Sequence, residues 1–339
     1  MTTPRAQGFA VPAEWAPHAR TWMAWPCRTE LWGERMAAAR RAYAEVAKAI
    51  ADYEPVTMVA RPDLTADASL QCGQGVSVLP LDYDDAWIRD TAPTFVVDRS
   101  GAVAGIDWRF NGYGERSPAF DQDARLGEAI CARLAVPRFA APIVLEGGAL
   151  HVDGEGTCLV CAPSVLDPKR NPDWSREQVA AVLADHLGIT QLIWLEHGFA
   201  GDVTGGHVDN VACFVRPGVV MALTARNPDD ANHPGLQDNL SRLRGARDAA
   251  GRELEIIEVE QPAARFRDDG RRLTTSYLNF YVANGAVVLP MFSDPMDDTA
   301  NDAIRKAFPD RQVVQIDAGD LVLGGGGIHC TTQQQPASG

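Results

Sequence analysis

Long apolar runs, paired cysteines and an excess of positive charge are what this sequence of 339 residues lacks. No stretch of about 18 apolar residues suggests a membrane span, and the opening MTTPRAQGFAVPAEW carries no apolar run of the signal-peptide kind. A cytoplasmic location without a membrane partner is therefore expected. The seven cysteines, Cys27, Cys72, Cys131, Cys158, Cys161, Cys213 and Cys330, are odd in number and form no disulfide framework, which points to free thiols. Cys158 and Cys161 make a lone C-x-x-C with no second Cys/His pair nearby, so no zinc site is expected. Asp and Glu number 45 against 31 Lys and Arg, a formal net charge of -14. That balance disfavours nucleic acid and phosphate-rich partners and suits cationic ones.

What is there is a core-forming composition, 46% hydrophobic, with no low-complexity linker to divide it. One domain over residues 1–339 is expected. Hairpin signals recur in APTFVVDRSGAVAGIDW, ALHVDGEGTCLVCA, VACFVRPGVVMALTA and LNFYVANGAVVLP, each setting two strand-like runs about a glycine turn. The turn glycines Gly101, Gly154, Gly218 and Gly285 stand 53, 64 and 67 residues apart. Between the hairpins lie five amphipathic helical patterns, MAAARRAYAEVAKAIADY, RLGEAICARLA, SREQVAAVLADHLG, GLQDNLSRLRGARDAAG and NDAIRKAF. Short β-branched runs come after them: PVTMVA, QLIWL, LEIIEV and QVVQID clearly, RFAAPIVL less so. The repeating unit is hairpin, helix, strand. A fifth hairpin is supplied only weakly by GFAVPAEW and RTWMAWP. Equal units that cannot bury their own faces, and that lack polar caps, favour closure into a ring. One ring-shaped α/β domain is the fold expected.

Polar residues fall at matching points, just before the first strand of each hairpin: WIRD (87–90), EGG (146–148) and GGHVDN (205–210), with GGGGIHC (324–330) after the last helix and strand. Asp90 to Glu146 is 56 residues, Glu146 to His207 is 61, and His207 to Cys330 is 123, about twice that interval. In a ring, equivalent ends point at one axis, so Asp90, Glu146, His207, Asp209 and Cys330 converge. An ionised thiol is a good nucleophile, and a nearby imidazole shuttles protons between steps. Paired carboxylates suit a planar cation of guanidinium type.

Each element has a plainer reading beside that one. Asp90 and Arg89 read equally as a surface ion pair, Glu146 as an acceptor of turn amides, and His207 with Asp209 as a structural pair on one side of a strand. His329 faces away from Cys330 in an extended segment and is assigned to structure. A phosphate or dinucleotide loop is disfavoured, since neither G-K-[ST] nor a helix-opening G-x-G-x-x-G is present.

Several motifs in order, PAEWAPHARTWMAWP, DDAWIRDTAPTFVV, WRFNGYG, LEGGALHVDGEGT, GGHVDNVACF, YLNFYVANG and GGGGIHCTTQQQP, resemble those of the agmatine deiminases, nearly end to end. These belong to the guanidine-modifying pentein superfamily, whose fold is the five-bladed α/β propeller. The resemblance implies Cys330 as nucleophile, His207 as acid and base, and Glu146 assisting binding and proton handling. It further implies Asp90 and Asp209 as guanidinium holders and Trp87 as a pocket wall. It implies agmatine as the small cationic substrate, no metal or organic cofactor, and dimers or higher homo-oligomers.

Two departures bear on the substrate. The family commonly reads D-E-T-x-G-H before the histidine, whereas this chain reads DVTGGH, with Val203 in the acidic position. An ammonium tail then has to find Asp202, Asp84 or Asp85, because a buried ammonium without a partner is costly. A neutral or acidic guanidine such as 4-guanidinobutyrate is the alternative. Cys158, and CAPSVLDPKRNP beyond the second hairpin strand, bear on the same wall. Amidino transfer, peptidyl-arginine deimination, a guanidine-binding module without activity and an unrelated Cys-His-Asp amidase complete the alternatives.

Overall fold

The chain builds sixteen strands into five small sheets, as described over residues 2–338 of a computed structural model. Four sheets share one plan, in which an antiparallel hairpin is extended by a parallel strand after a helical crossover. The second sheet holds β4 (Thr94–Val97), β5 (Val103–Arg109) and β6 (Arg138–Val144), the last reached through helix α3 (Asp123–Leu134). The third holds β7 (Leu150–Val152), β8 (Thr157–Cys161) and β9 (Gln191–Leu195) with α4 (Arg176–Leu187). The fourth holds β10 (Ala212–Arg216), β11 (Val219–Thr224) and β12 (Glu255–Glu260) with α5 (His233–Gly245). The fifth holds β13 (Tyr281–Ala283), β14 (Ala286–Met291) and β15 (Gln312–Asp317) with α6 (Asp297–Ala307). The hairpin turns use the glycines read from sequence, all left-handed: Gly101 at φ 81°, Gly154 at 74°, Gly218 at 76° and Gly285 at 85°.

The first sheet departs from expectation. Its hairpin is not made by GFAVPAEW and RTWMAWP; β1 (His18–Ala24) pairs antiparallel with β16 (Gln333–Pro336) from the other end of the chain. Strand β2 (Val56–Ala60) joins β1 in parallel through α1 (Met36–Ala51), and a further helix α2 (Thr65–Cys72) leads to a fourth strand, β3 (Val76–Pro80). The first blade is thus completed by the last strand, which closes the ring. First strands of neighbouring blades meet, β16 beside β4 and β7 beside β10, so the hairpin entrances gather at the axis. The helical pattern GLQDNLSRLRGARDAAG also ends early: α5 stops at Gly245, and Arg247 bridges Glu253 in a turn.

The helices show why these patterns fold as they do. In α1, Ala39, Tyr43, Val46, Ala47 and Ile50 recur at helical spacing and are buried against the first and fifth blades. Helix α4 opens with a reciprocal capping box between Ser175 and Gln178 and ends on left-handed Gly188. Among the described residues no helix is long and apolar enough to cross a membrane.

Ring closure also carries a buried polar knot. Glu54 accepts from Thr21, from the Tyr281 hydroxyl at 3.0 Å, from the Asn284 amide at 2.6 Å, and lies 3.1 Å from His18 Nδ1. It ties the first blade to the fifth. Glu54→Ala strands several buried donors at once and is expected to lower stability by about 3–5 kcal/mol, read by urea denaturation; a change below about 1 kcal/mol would contradict that linkage.

Candidate active site

Each blade sends one short turn toward the axis. Asp90 lies in the helical turn Ile88–Thr91 before β4, and Glu146 precedes the turn Gly147–Ala149 before β7. His207 caps the turn Val208–Asn210 before β10, and Cys330 sits in the turn His329–Thr331 before β16. The five residues read as convergent are brought together. His207 Nε2 is 3.3 Å from Glu146 Oε2, its Nδ1 is 3.8 Å from Asp90 Oδ1, and Cys330 Sγ is 3.6 Å from Asp209 Oδ2. All are buried, Glu146 and His207 at 0% exposure and Cys330 at 4%.

The plainer readings do not describe the site. Asp90 and Arg89 are buried rather than superficial, and Arg89 reaches Glu14 at 3.4 Å and Gln334 at 2.7 Å instead of its neighbour. Asp90 accepts from the Gly148 amide at 2.9 Å and the Tyr113 hydroxyl at 3.0 Å. Glu146 faces Arg170 and His207, not turn amides. His207 and Asp209 belong to a 3-10 turn rather than to a strand.

Residues 328–331 are likewise not extended. His329 turns beneath the site, with Nδ1 3.0 Å from Asp209 Oδ2 and Nε2 2.9 Å from Glu14 Oε1. Ionised carboxylates only accept, so both ring nitrogens must donate and His329 is an imidazolium. Burial and Arg89 oppose that charge, while Glu14 and Asp209 outweigh them and raise its pKa.

Further positions escaped the sequence reading. The interval from His207 to Cys330 spans two blades, and the missing turn supplies Asn279, 72 residues after His207. Its side-chain amide donates to Cys330 Sγ at 3.3 Å and to Asn210 at 3.0 Å, and its backbone carbonyl accepts from the His329 amide at 3.0 Å. The doubled spacing was the signal for it. The segment CAPSVLDPKRNP contributes Arg170, whose Nε donates to Glu146 at 2.8 Å with both side chains fully buried. Trp87 stands where expected, walled by Trp32 and Tyr43, each with ring centroids 6.3 Å away.

The four glycines of GGGGIHC are required by close approach. A methyl on Gly324 would lie 2.1 Å from Trp32, on Gly326 2.7 Å from Trp87 and 3.0 Å from Cys330 Cβ, and on Gly327 2.5 Å from Asn279. Gly325 is left-handed at φ 114°.

Burial works against every charge here, and neighbours decide the outcome. Burial lifts Asp90 to about 6 even with His207 opposing. For His207, burial opposes the charged ring, but Asp90 and Glu146 prevail and raise it to about 9. Glu146 is lowered because Arg170 and His207 overcome its desolvation, and Asp209 because His329 does. The Cys330 thiol is pushed well above its ordinary value by burial, then by Asp209 and Asp90. Among the described residues, His207 Nδ1 and Asp209 Oδ1 are buried and find no hydrogen-bond partner. Gly148 closes the floor between them: a methyl there would lie 2.7 Å from His207 Nδ1, 2.9 Å from Asp209 Oδ2 and 3.0 Å from Asp90 Oδ1. A flat cation with several N–H donors fits such a chamber, and a thiolate becomes accessible once that cation is bound.

Residues 10–336 match the Porphyromonas-type peptidyl-arginine deiminase family. An agmatine deiminase of Stutzerimonas stutzeri is 41% identical over 99% of this chain and 98% of its own length. The chain belongs to the agmatine deiminase family. A relative from Streptomyces coelicolor is 47% identical over 97% of this chain and 99% of its own. The solved structure of the Enterococcus faecalis agmatine deiminase superposes with a TM-score of 0.96 at 32% identity, covering 100% of this chain and 99% of that one. The five-bladed propeller is therefore the family fold.

In this family member the candidate tail contacts fare differently. Val203 is 45% exposed at the rim and packs on Gly325. Asp202 is occupied within its own loop, accepting from the Thr204 amide at 2.9 Å, its hydroxyl at 2.8 Å and the His207 amide at 3.0 Å. Asp84 accepts from the Gln122 amide at 2.8 Å, and Asp85 pairs with Arg28 at 3.1 Å.

His329→Gln is expected to raise the pH at which Cys330 is alkylated, because Asp209 loses its cation, and to cost about 3–5 kcal/mol of stability. An alkylation profile that does not move, in a folded variant, would refute the charge assignment. Gly326→Val, by displacing Trp87 or Cys330, is expected to lower kcat/KM on the order of 100-fold.

Proposed function

We propose that this chain hydrolyses agmatine to N-carbamoylputrescine and ammonia. The observation that carries the reading is the buried convergence of a thiol, an imidazole and three carboxylates around the unpartnered Asp209 Oδ1. Agmatine is the guanidine in the names of the relatives from Stutzerimonas stutzeri and Enterococcus faecalis.

In this reading Asp90 and Asp209 hold the guanidinium edge, Glu146 takes the opposing charge, and Trp87 covers the plane. The bound cation lowers the pKa of Cys330, whose proton leaves to solvent or to the site. The thiolate attacks the guanidinium carbon. The bond from that carbon to a terminal nitrogen breaks as His207, charged at neutral pH, gives its proton to the leaving ammonia. An amidino-thioether remains on Cys330. Water then delivers a proton to the neutral His207 and its oxygen to the carbon; the carbon–sulfur bond breaks, and the ureido product departs. Glu146, kept ionised by Arg170, holds the ring of His207 and favours its return to the charged form.

The test is ammonia release with mass identification of the product. Cys330→Ala is expected to abolish turnover, and His207→Ala to lower kcat by about 10²–10⁴-fold. Normal turnover in either variant removes the mechanism. The pH profile has a stated sign: Asp90, lifted to about 6, is protonated below that value and no longer grips a cation, so kcat/KM falls as pH drops through about 6. In the absence of substrate, Cys330 alkylation should rise only at pH above the ordinary thiol range, and added guanidine should shift it downward.

A further inference from the structure

A cavity of about 240 Å³ stands at the rim, against the loop that carries the nucleophile. Val203, Gly325, Thr274 and three arginines, Arg267, Arg271 and Arg272, are among its walls, and no carboxylate lines it among the described residues. Two of the arginines are committed. Arg272 holds Asp230 through bonds of 2.7 and 3.0 Å, and Arg271 holds Asp269 at 2.7 Å. Arg267, half-buried on the hairpin bridged by Phe266 and Arg272, makes no ion pair within 4.0 Å among the described residues. Burial and the neighbouring Arg271, with Arg35, lower its pKa against the opposing pull of Asp269.

The cavity joins both catalytic segments. Val203 lies four residues before His207 and Gly325 five before Cys330, and the two touch, a methyl on Gly325 falling 2.9 Å from Val203 Cγ2. The next residue, Gly326, packs on Trp87 and Cys330. In the guanidine-hydrolysing reading, a substrate chain that runs outward from the buried centre alongside these two segments ends at the cavity that Arg267 lines. The site is acidic at its base and basic at its rim. Within this cavity an ammonium meets no carboxylate, since Asp202, Asp84 and Asp85 are each occupied and Glu30, Asp268 and Asp269 line the adjoining cavity on the other side of Arg267, whereas a carboxylate meets the half-buried Arg267 guanidinium.

We infer that the rim cavity is an anion subsite, and that the protein also deiminates ω-guanidino carboxylates of butyrate length, with Arg267 selecting them. The inference rests on the guanidine-hydrolysing reading of the buried centre. Bonds made and broken are the same, the carboxylate passes through unchanged, and 4-guanidinobutyrate with water gives 4-ureidobutyrate and ammonia.

Agmatine, 4-guanidinobutyrate and uncharged-tail butylguanidine are compared on the wild type, Arg267→Gln and Val203→Glu. Wild type is expected to turn over the acid at least as efficiently as agmatine. Arg267→Gln should lower the acid-to-butylguanidine ratio of kcat/KM by about tenfold, the worth of one charge-assisted hydrogen bond, while Val203→Glu should shift the ratio toward agmatine. Turnover of agmatine or butylguanidine without the acid, or an unchanged ratio in Arg267→Gln, overturns the subsite and leaves the deiminase reading intact. Silence on all three guanidines overturns both.

Discussion

Three carboxylates and a thiol are held out of water around one histidine, and only buried cations make that arrangement possible. An unpaired buried carboxylate would cost several kcal/mol or take up a proton. Here each acid has its own counter-charge: Arg170 for Glu146, His329 for Asp209, and His207 beside Asp90. The pairing is uneven in a way that matters. Glu146 and Asp209 stay ionised, whereas Asp90, with the weakest partner, is lifted to about 6. Cys330 receives no dedicated cation, so its thiol lies high in the absence of a positive ligand. Such a centre exposes its reactive form chiefly to cations, which protects a thiol from indiscriminate oxidation.

The period of the fold was legible because four of the five blades repeat one hairpin with one left-handed glycine, and glycine is the residue that such a turn demands. The convergence of Asp90, Glu146, His207 and Cys330 at the axis was legible for the same reason, as residues that precede the first strands of their blades. What was not legible came from pairings without local pattern. Strand β16 completes the first blade across the whole chain length, and QQQP carries no alternation to announce it. Arg170 and Glu14 sit in irregular segments, and their partners lie 24 and 315 residues away. Asn279 was accessible in principle, since a doubled interval in a fivefold repeat marks a blade whose contribution is neutral rather than charged.

The rim and the centre are separable because they are built from different material. The centre is carried by turns at the entrances of rigid hairpins, and its side chains are almost wholly buried. Val203, Phe266 and the arginines of the neighbouring hairpin belong to exposed or half-exposed loops, where substitution disturbs little packing. In the proposed reading, reaction chemistry and substrate choice therefore occupy regions under different physical constraints, so the tail preference can change within one scaffold while the thiol and its acids remain.

Ring closure and assembly of the site are one event. Cys330 lies three residues before β16, whose pairing with β1 completes the ring, and Arg89 reaches across to Gln334 of that strand at 2.7 Å. The same Arg89 approaches Glu14, which in turn holds His329 and so Asp209. The N-terminal segment carrying Glu14 is itself anchored on the second and third blades, Ala10 to Val97 and Val11 to Leu187. Until both ends of the chain are in place, Asp209 lacks its cation and Cys330 lacks its position. Unclosed chains thus do not form the constellation, and the order of charges at the axis is a product of the complete ring rather than of any single blade.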